Sequence, residues 1–202
     1  MAGIGTATVA KETKVNSIRV WLFGVLVLIG GGGLLYTWFR PWWNLDIEEL
    51  GYDMIRLHPW GLEMDERLGS FTILLKGADM PAWFGPMMWA LLGACMLALL
   101  AAIIFGAKEI KVGGMCFSLG TFLVSGVGLF YLVVAIGFAV YASMRMGSMY
   151  NAPLQGRAAM DLGGELHSWV TSHLLPGYFM TYPVAIYLLL VGLLRDLIVG
   201  EL

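Results

Sequence analysis

Four long apolar runs constrain this chain more than any other feature. They cover about residues 18–39, 82–107, 112–142 and 174–199. A helix that crosses the hydrocarbon core needs about 20 apolar residues. Backbone groups cannot stay unpaired in lipid, so such runs must be helical. The sequence therefore predicts an all-α integral membrane protein, a four-transmembrane-helix bundle forming one domain over residues 1–202. Composition agrees: 13% of residues are charged, where soluble domains carry about 25%. The net charge is −2 with no basic patch, so no nucleic-acid partner is expected.

The N-terminal stretch MAGIGTATVAKETKVNSIR is polar. The apolar run behind it exceeds the about 7–15 residues of a signal-peptide core, so it reads as the first span. Ala2 follows Met1, and the myristoylation motif needs Gly there. Lys11, Lys14 and Arg19 lead the first span and Arg40 follows it, which places both termini in the cytoplasm of a plasma or cytoplasmic membrane. Ten of the fourteen acids then fall in two outer loops, about 40–81 and 143–173. A small extracytoplasmic cap built from both loops is expected.

Within the spans, Ala94, Ala98, Ala102 and Gly106 recur every four residues, as do Ala135, Ala139, Ser143 and Gly147. Small residues at this spacing let helices approach closely, so these stripes are the expected packing faces. The run of glycines at 30–33 points to another close contact, with a helix, lipid or cofactor. The third run overshoots the bilayer and must tilt or project into the outer loops. Pro183 should kink the fourth, and Arg195 and Asp196 near its end should snorkel to water. Trp42, Trp43, Trp83, Trp89, Tyr141 and Tyr178 fit an aromatic belt at the outer boundary.

In the first loop, IEELGYDMIRL suits a short amphipathic helix and SFTILLK a strand or a membrane-lying segment. In the second, Leu162, Leu166, Trp169 and Val170 have helical spacing and suggest a helix lying in the interface. Four spans with a long, a short and a medium loop, Trp43 after the first span, and Trp60-Gly61-Leu62 further on resemble the claudin-like tetraspan group. That resemblance implies a self-associating protein of membrane organisation or cell contact. The triplet ends in Glu63 beyond Leu62 where the group has Trp, and the loop cysteine pair of that group is absent. Cys95 lies within the second span and Cys116 near the start of the third, at depths differing by about 12 Å, too far apart for a disulfide.

No phosphate loop, HExxH, CxxC or GxSxG occurs, so no enzymatic activity is predicted. Met144, Met146 and Met149 with His167 or His173 would suit Cu(I), since thioethers are soft ligands. Methionine is also common apolar filler, which is the competing reading of these residues. Haem is a weaker alternative, as His58, His167 and His173 all lie in the outer loops. No cofactor is predicted, and bound lipid is expected. The central turns of the first three spans carry no charge, which argues against an ion or proton pathway. The expectation is a non-catalytic subunit of a larger membrane assembly. Its other membrane subunits would dock on Trp42, Trp43, His58, Trp60, Glu63 and Asp65, because aromatic residues anchor such interfaces. Homo-oligomerisation and a copper-handling or redox role are the alternatives.

Overall fold

The computed structural model describes residues 17–48, 51–65, 81–112, 115–150, 153–161 and 167–199. Four helices in it are long and apolar enough to cross a membrane. They are α1 (Ser17–Phe39), α2 (Phe84–Phe105), α3 (Leu119–Tyr150) and a broken fourth made of α4 (Pro176–Phe179), α5 (Thr181–Leu193) and α6 (Arg195–Val199). Between 28% and 39% of each apolar window is buried, so most of it faces outward. Leu28, Ile29, Leu97, Ile104, Val133, Ile136 and Leu193 form part of that apolar rim. Such a surface is stable against lipid and costly against water.

The cap is not helical, and here the all-α expectation is corrected. Strands β1 (Trp43–Ile47), β2 (Gly51–His58) and β3 (Gly61–Met64) come from the first loop. A second hairpin, β4 (Glu109–Val112) and β5 (Met115–Ser118), joins α2 to α3, and β6 (Gly156–Asp161) and β7 (His167–Leu174) come from the second outer loop. The cap strands form one five-stranded antiparallel sheet in the order β3-β2-β1-β7-β6. The stretch expected as an amphipathic helix is thus a hairpin. Trp43, Leu45 and Ile47 are buried at every second position, the strand period. In β7, Trp169 is 48% exposed and Val170 1%, so the two neighbours face opposite sides of a strand instead of sharing a helix face. Leu162, Leu166 and the SFTILLK segment lie outside the described residues.

Helix α3 starts at Leu119, seven residues later than expected, because Val112 closes β4 and Met115–Ser118 form β5. Ser118 caps it: the Thr121 N–H donates to Ser118 Oγ at 3.1 Å. Its 32 residues span about 48 Å at helical rise, well beyond a hydrocarbon core of about 30 Å. The excess projects beneath the sheet. Met146 is buried there in a second core with Trp43, Leu45, Ile47, Met54, Ile55 and Val170. The fourth span is interrupted at Met180. Pro183 has no N–H to offer the Phe179 carbonyl four residues back, so the helix breaks one turn before it.

The close helix contacts follow the expected stripes in part. Ala102 and Ala135 are buried, Ala98 and Ala139 are half-buried, and Ala94, Ser143 and Gly147 are exposed. Gly106 meets Gly120 instead of a long helix face. The tightest approach joins α3 to α5. A methyl on Gly128 would stand 2.6 Å from the Leu189 nitrogen, and one on Gly192 2.4 Å from the Ser125 nitrogen. Gly30 and Gly33 receive Leu188 and Val184 of α5, and Gly31 receives Leu99 of α2. Two further expectations change. Arg195 does not reach water: it is 3% exposed, bonds Asp196 Oδ1 at 2.7 Å and lies over the Phe23 ring. Of the aromatic belt, Trp83, Trp89 and Tyr141 are exposed, whereas Trp42, Trp43 and Tyr178 are buried.

Candidate functional site: the outer face of the cap sheet

The sheet sets its polar residues in rows across strands that are distant in sequence. One row runs Glu63, Arg56, Asn44, His173 across β3, β2, β1 and β7. The next runs Asp46, Thr171, Arg157 across β1, β7 and β6. Acids and bases alternate within reach of one another. Arg56 Nη2 donates to Asp53 Oδ2 at 2.8 Å, Arg157 Nη2 donates to Glu48 Oε2, and His173 Nε2 stands 3.9 Å from Asp46 Oδ2. The Arg157 guanidinium also covers the Trp169 ring at 4.7 Å, a cation–π arrangement.

A bulge in β2 makes the central cluster. Leu45 pairs with Ile55 and Ile47 with Gly51, so β2 carries extra residues opposite one residue of β1. Asp53 takes φ +56° in this bulge, a left-handed conformation that Asp tolerates better than most residues. The turn is clamped: the Asp53 N–H donates to Asp46 Oδ1 at 2.6 Å, and Asn44 Nδ2 donates to Asp53 Oδ1 at 2.8 Å. The hydrogen bond from Arg56, then that from Asn44, holds the Asp53 carboxyl below the usual carboxylate range. The same pair raises the Arg56 guanidinium.

Two clefts open on this face. The larger, about 370 Å³, is lined by Asp46, Glu48, Tyr52, Arg157, Thr171 and His173 among others. The smaller, about 230 Å³, is lined by Tyr52, Asp53, Arg56, Glu63, Met64 and Asp65. Tyr52 walls both and is 84% exposed.

The residues expected to dock a partner divide. Trp42 has no exposed surface; it packs edge-on to Phe138 at 5.0 Å and donates from Nε1 to the Thr37 carbonyl at 2.9 Å. Trp43 is buried and donates to the Leu154 carbonyl at 2.8 Å. Both are core residues, and neither offers a ring to a partner. His58 is buried too, stacked 4.7 Å from Trp60, with its Nε2 3.2 Å from Glu63 Oε2. Trp60 in turn stacks on Trp89 of α2. Glu63 and Asp65 remain on the cleft side. Sequence reasoning missed Tyr52, Asp53, Arg56, Arg157, Trp169 and Thr171. The alternation of Asn44, Asp46 and Glu48 with Leu45 and Ile47 was the available signal.

Of the methionine–histidine set, the described members Met144, Met146 and His173 do not converge. Met144 is 70% exposed, Met146 lies in the core beneath the sheet, and His173 stands on the opposite, outer face. The side chains of Met149 and His167 lie outside the described set. Among the described residues no group of three or more His, Cys, Asp or Glu side chains suits a metal ion. These features define the class: four helices suited to membrane crossing, capped by a mixed-charge antiparallel sheet. No protein-family model matches the chain, and no curated protein matches it.

Proposed function

We propose that the chain is a non-catalytic integral membrane subunit that presents the outer face of its cap sheet to a partner subunit. The termini lie on the cytoplasmic side and the sheet on the other. One observation carries the reading: an exposed Tyr52 stands between two clefts lined with ion-paired acids and bases, on a face that the protein's own core leaves open. Exposed aromatic rings framed by paired charges are the composition of an interface, the rings giving contact area and the charges register. The docking residues are then Tyr52, Trp169, Glu63 and Asp65, in place of Trp42 and Trp43. No cofactor enters this reading, and lipid covers the helices.

Gentle extraction from native membranes, followed by mass analysis of what co-migrates, tests it. A stoichiometric partner that is lost on Tyr52→Ala and Trp169→Ala supports the reading. A chain that runs alone, or whose partner is indifferent to both substitutions, overturns it. A second reading, the claudin-like tetraspan, rests on the loop pattern with Trp43 and Trp60-Gly61-Leu62; association with copies of itself alone would favour it.

A further inference from the structure

Strand β6 is the end strand of the sheet, and among the described residues it pairs with β7 alone. An open strand edge presents unpaired N–H and C=O groups to any second chain. Proteins commonly guard such an edge with charges. A single charge at the centre of the strand would meet its own like charge across a twofold axis. The sequence of β6, GRAAMD, does the reverse, because Arg157 and Asp161 stand symmetrically about Ala159.

Alternation along the strand places positions 157, 159 and 161 on one face. Arg157 and Ala159 are exposed, and Arg157 reaches Glu48 and Trp169 on the outer face. Ala158 packs against the cap core on the other side. A twofold axis perpendicular to the sheet keeps each face on its own side. Centred on Ala159, it sets Arg157 opposite Asp161 of the second copy, and does so twice. Centred on Arg157 or Asp161, it opposes like charges; centred on Ala158 or Met160, it leaves both charges without an opposite partner.

We propose that β6 is a self-pairing edge: two copies join antiparallel in the register centred on Ala159, merging two five-stranded sheets into one continuous sheet. The occupant of the edge is a second copy because this register makes the strand complementary to itself in charge. The inference does not rest on the partner-docking reading, which uses the face of the sheet, although Arg157 also walls the larger cleft on that face.

The test is oxidative cross-linking of the full chain in native membranes, in a Cys95→Ala, Cys116→Ala background. Ala159→Cys sits on the axis and should give a dimer band. Ala158→Cys, on the other face and off the axis, should not. Opposed charges can be swapped in a Glu48→Gln background, which removes the competing partner of Arg157. There Asp161→Arg should weaken the Ala159→Cys cross-link roughly tenfold. Adding Arg157→Asp should restore it. An absent Ala159→Cys band, an equal band from Ala158→Cys, or a double swap as weak as Asp161→Arg overturns the proposal. If the charge variants fail to fold, the two cysteine positions alone decide.

Discussion

Thr37 and Tyr131 show how a polar pair survives inside an apolar bundle. The single hydroxyl proton of Thr37 faces the Gly33 and Leu34 carbonyls of its own helix, at 3.1 and 3.0 Å. Tyr131 therefore donates to Thr37 Oγ1, at 2.6 Å. Both side chains are buried, and Trp42 closes over them. Tyr131→Phe should lower stability by about 1 kcal/mol, the scale of one internal hydrogen bond in a membrane protein. Thermal unfolding in detergent measures it, and an unchanged transition would mean that the Tyr131 hydroxyl contributes nothing net. Asp53 makes the residue-scale case for pH. Its folded carboxyl titrates below its unfolded one, so its stabilisation is present above the unfolded value and disappears as pH falls through the folded value. The pair is nearly half exposed, which limits the effect to about 0.2–1 kcal/mol. Acid titration of cap stability should therefore lose a small component below the usual carboxylate range, and Asp53→Asn should lack it. None of this pairing was legible in the sequence, since the partners meet only through a bulge and a cross-strand register.

At the scale of elements, the spans were legible and the cap was not. Residues 18–39 were expected as a span and Ser17–Phe39 is the helix, because nothing but a helix satisfies twenty apolar residues in lipid. The cap segments are short, and a short stretch of mixed apolar and polar residues fits either period. What decided them was pairing: β1 lies between β2 and β7, and each neighbour supplies the hydrogen bonds a lone strand lacks. The packing stripes were legible only in part: Ala102 and Ala135 are core residues with Ala98 and Ala139 packed against them, whereas Ala94, Ser143 and Gly147 are exposed. Small residues recur on several faces of α2 and α3, and sequence does not say which face meets a helix and which meets lipid. Gly128 and Gly192 do, whereas Gly126 and Gly137 meet nothing within 4 Å. Gly192→Ala should thus destabilise the bundle, since its methyl collides with the Ser125 backbone, while Gly126→Ala should be neutral or slightly stabilising. Equal melting temperatures for the two variants would refute the α3–α5 contact.

For the whole molecule, the sheet imposes a topology. Strands from both outer loops share it, so the two loops lie at the same end of the bundle, and the β4–β5 hairpin lies at the other. Cysteines at Tyr52 and Trp169, both exposed, should react with a membrane-impermeant maleimide from one side. A cysteine at Lys108, beside the hairpin, should react only from the other. Labelling of all three from one side would break the four-span arrangement.

The sequence by itself determined that four helices of membrane length exist, where they lie, and that acids gather in two loops. Those properties are local: hydropathy over twenty residues suffices, because lipid leaves the backbone one choice. Only the tertiary structure decided that the loops are strands, that Trp42, Trp43 and Arg195 are core residues, and which glycines touch. Those properties depend on partners far along the chain, such as His173 beside Asn44 or Leu154 beneath Trp43. A side chain's role there is set by what the fold brings against it, which no window of sequence contains.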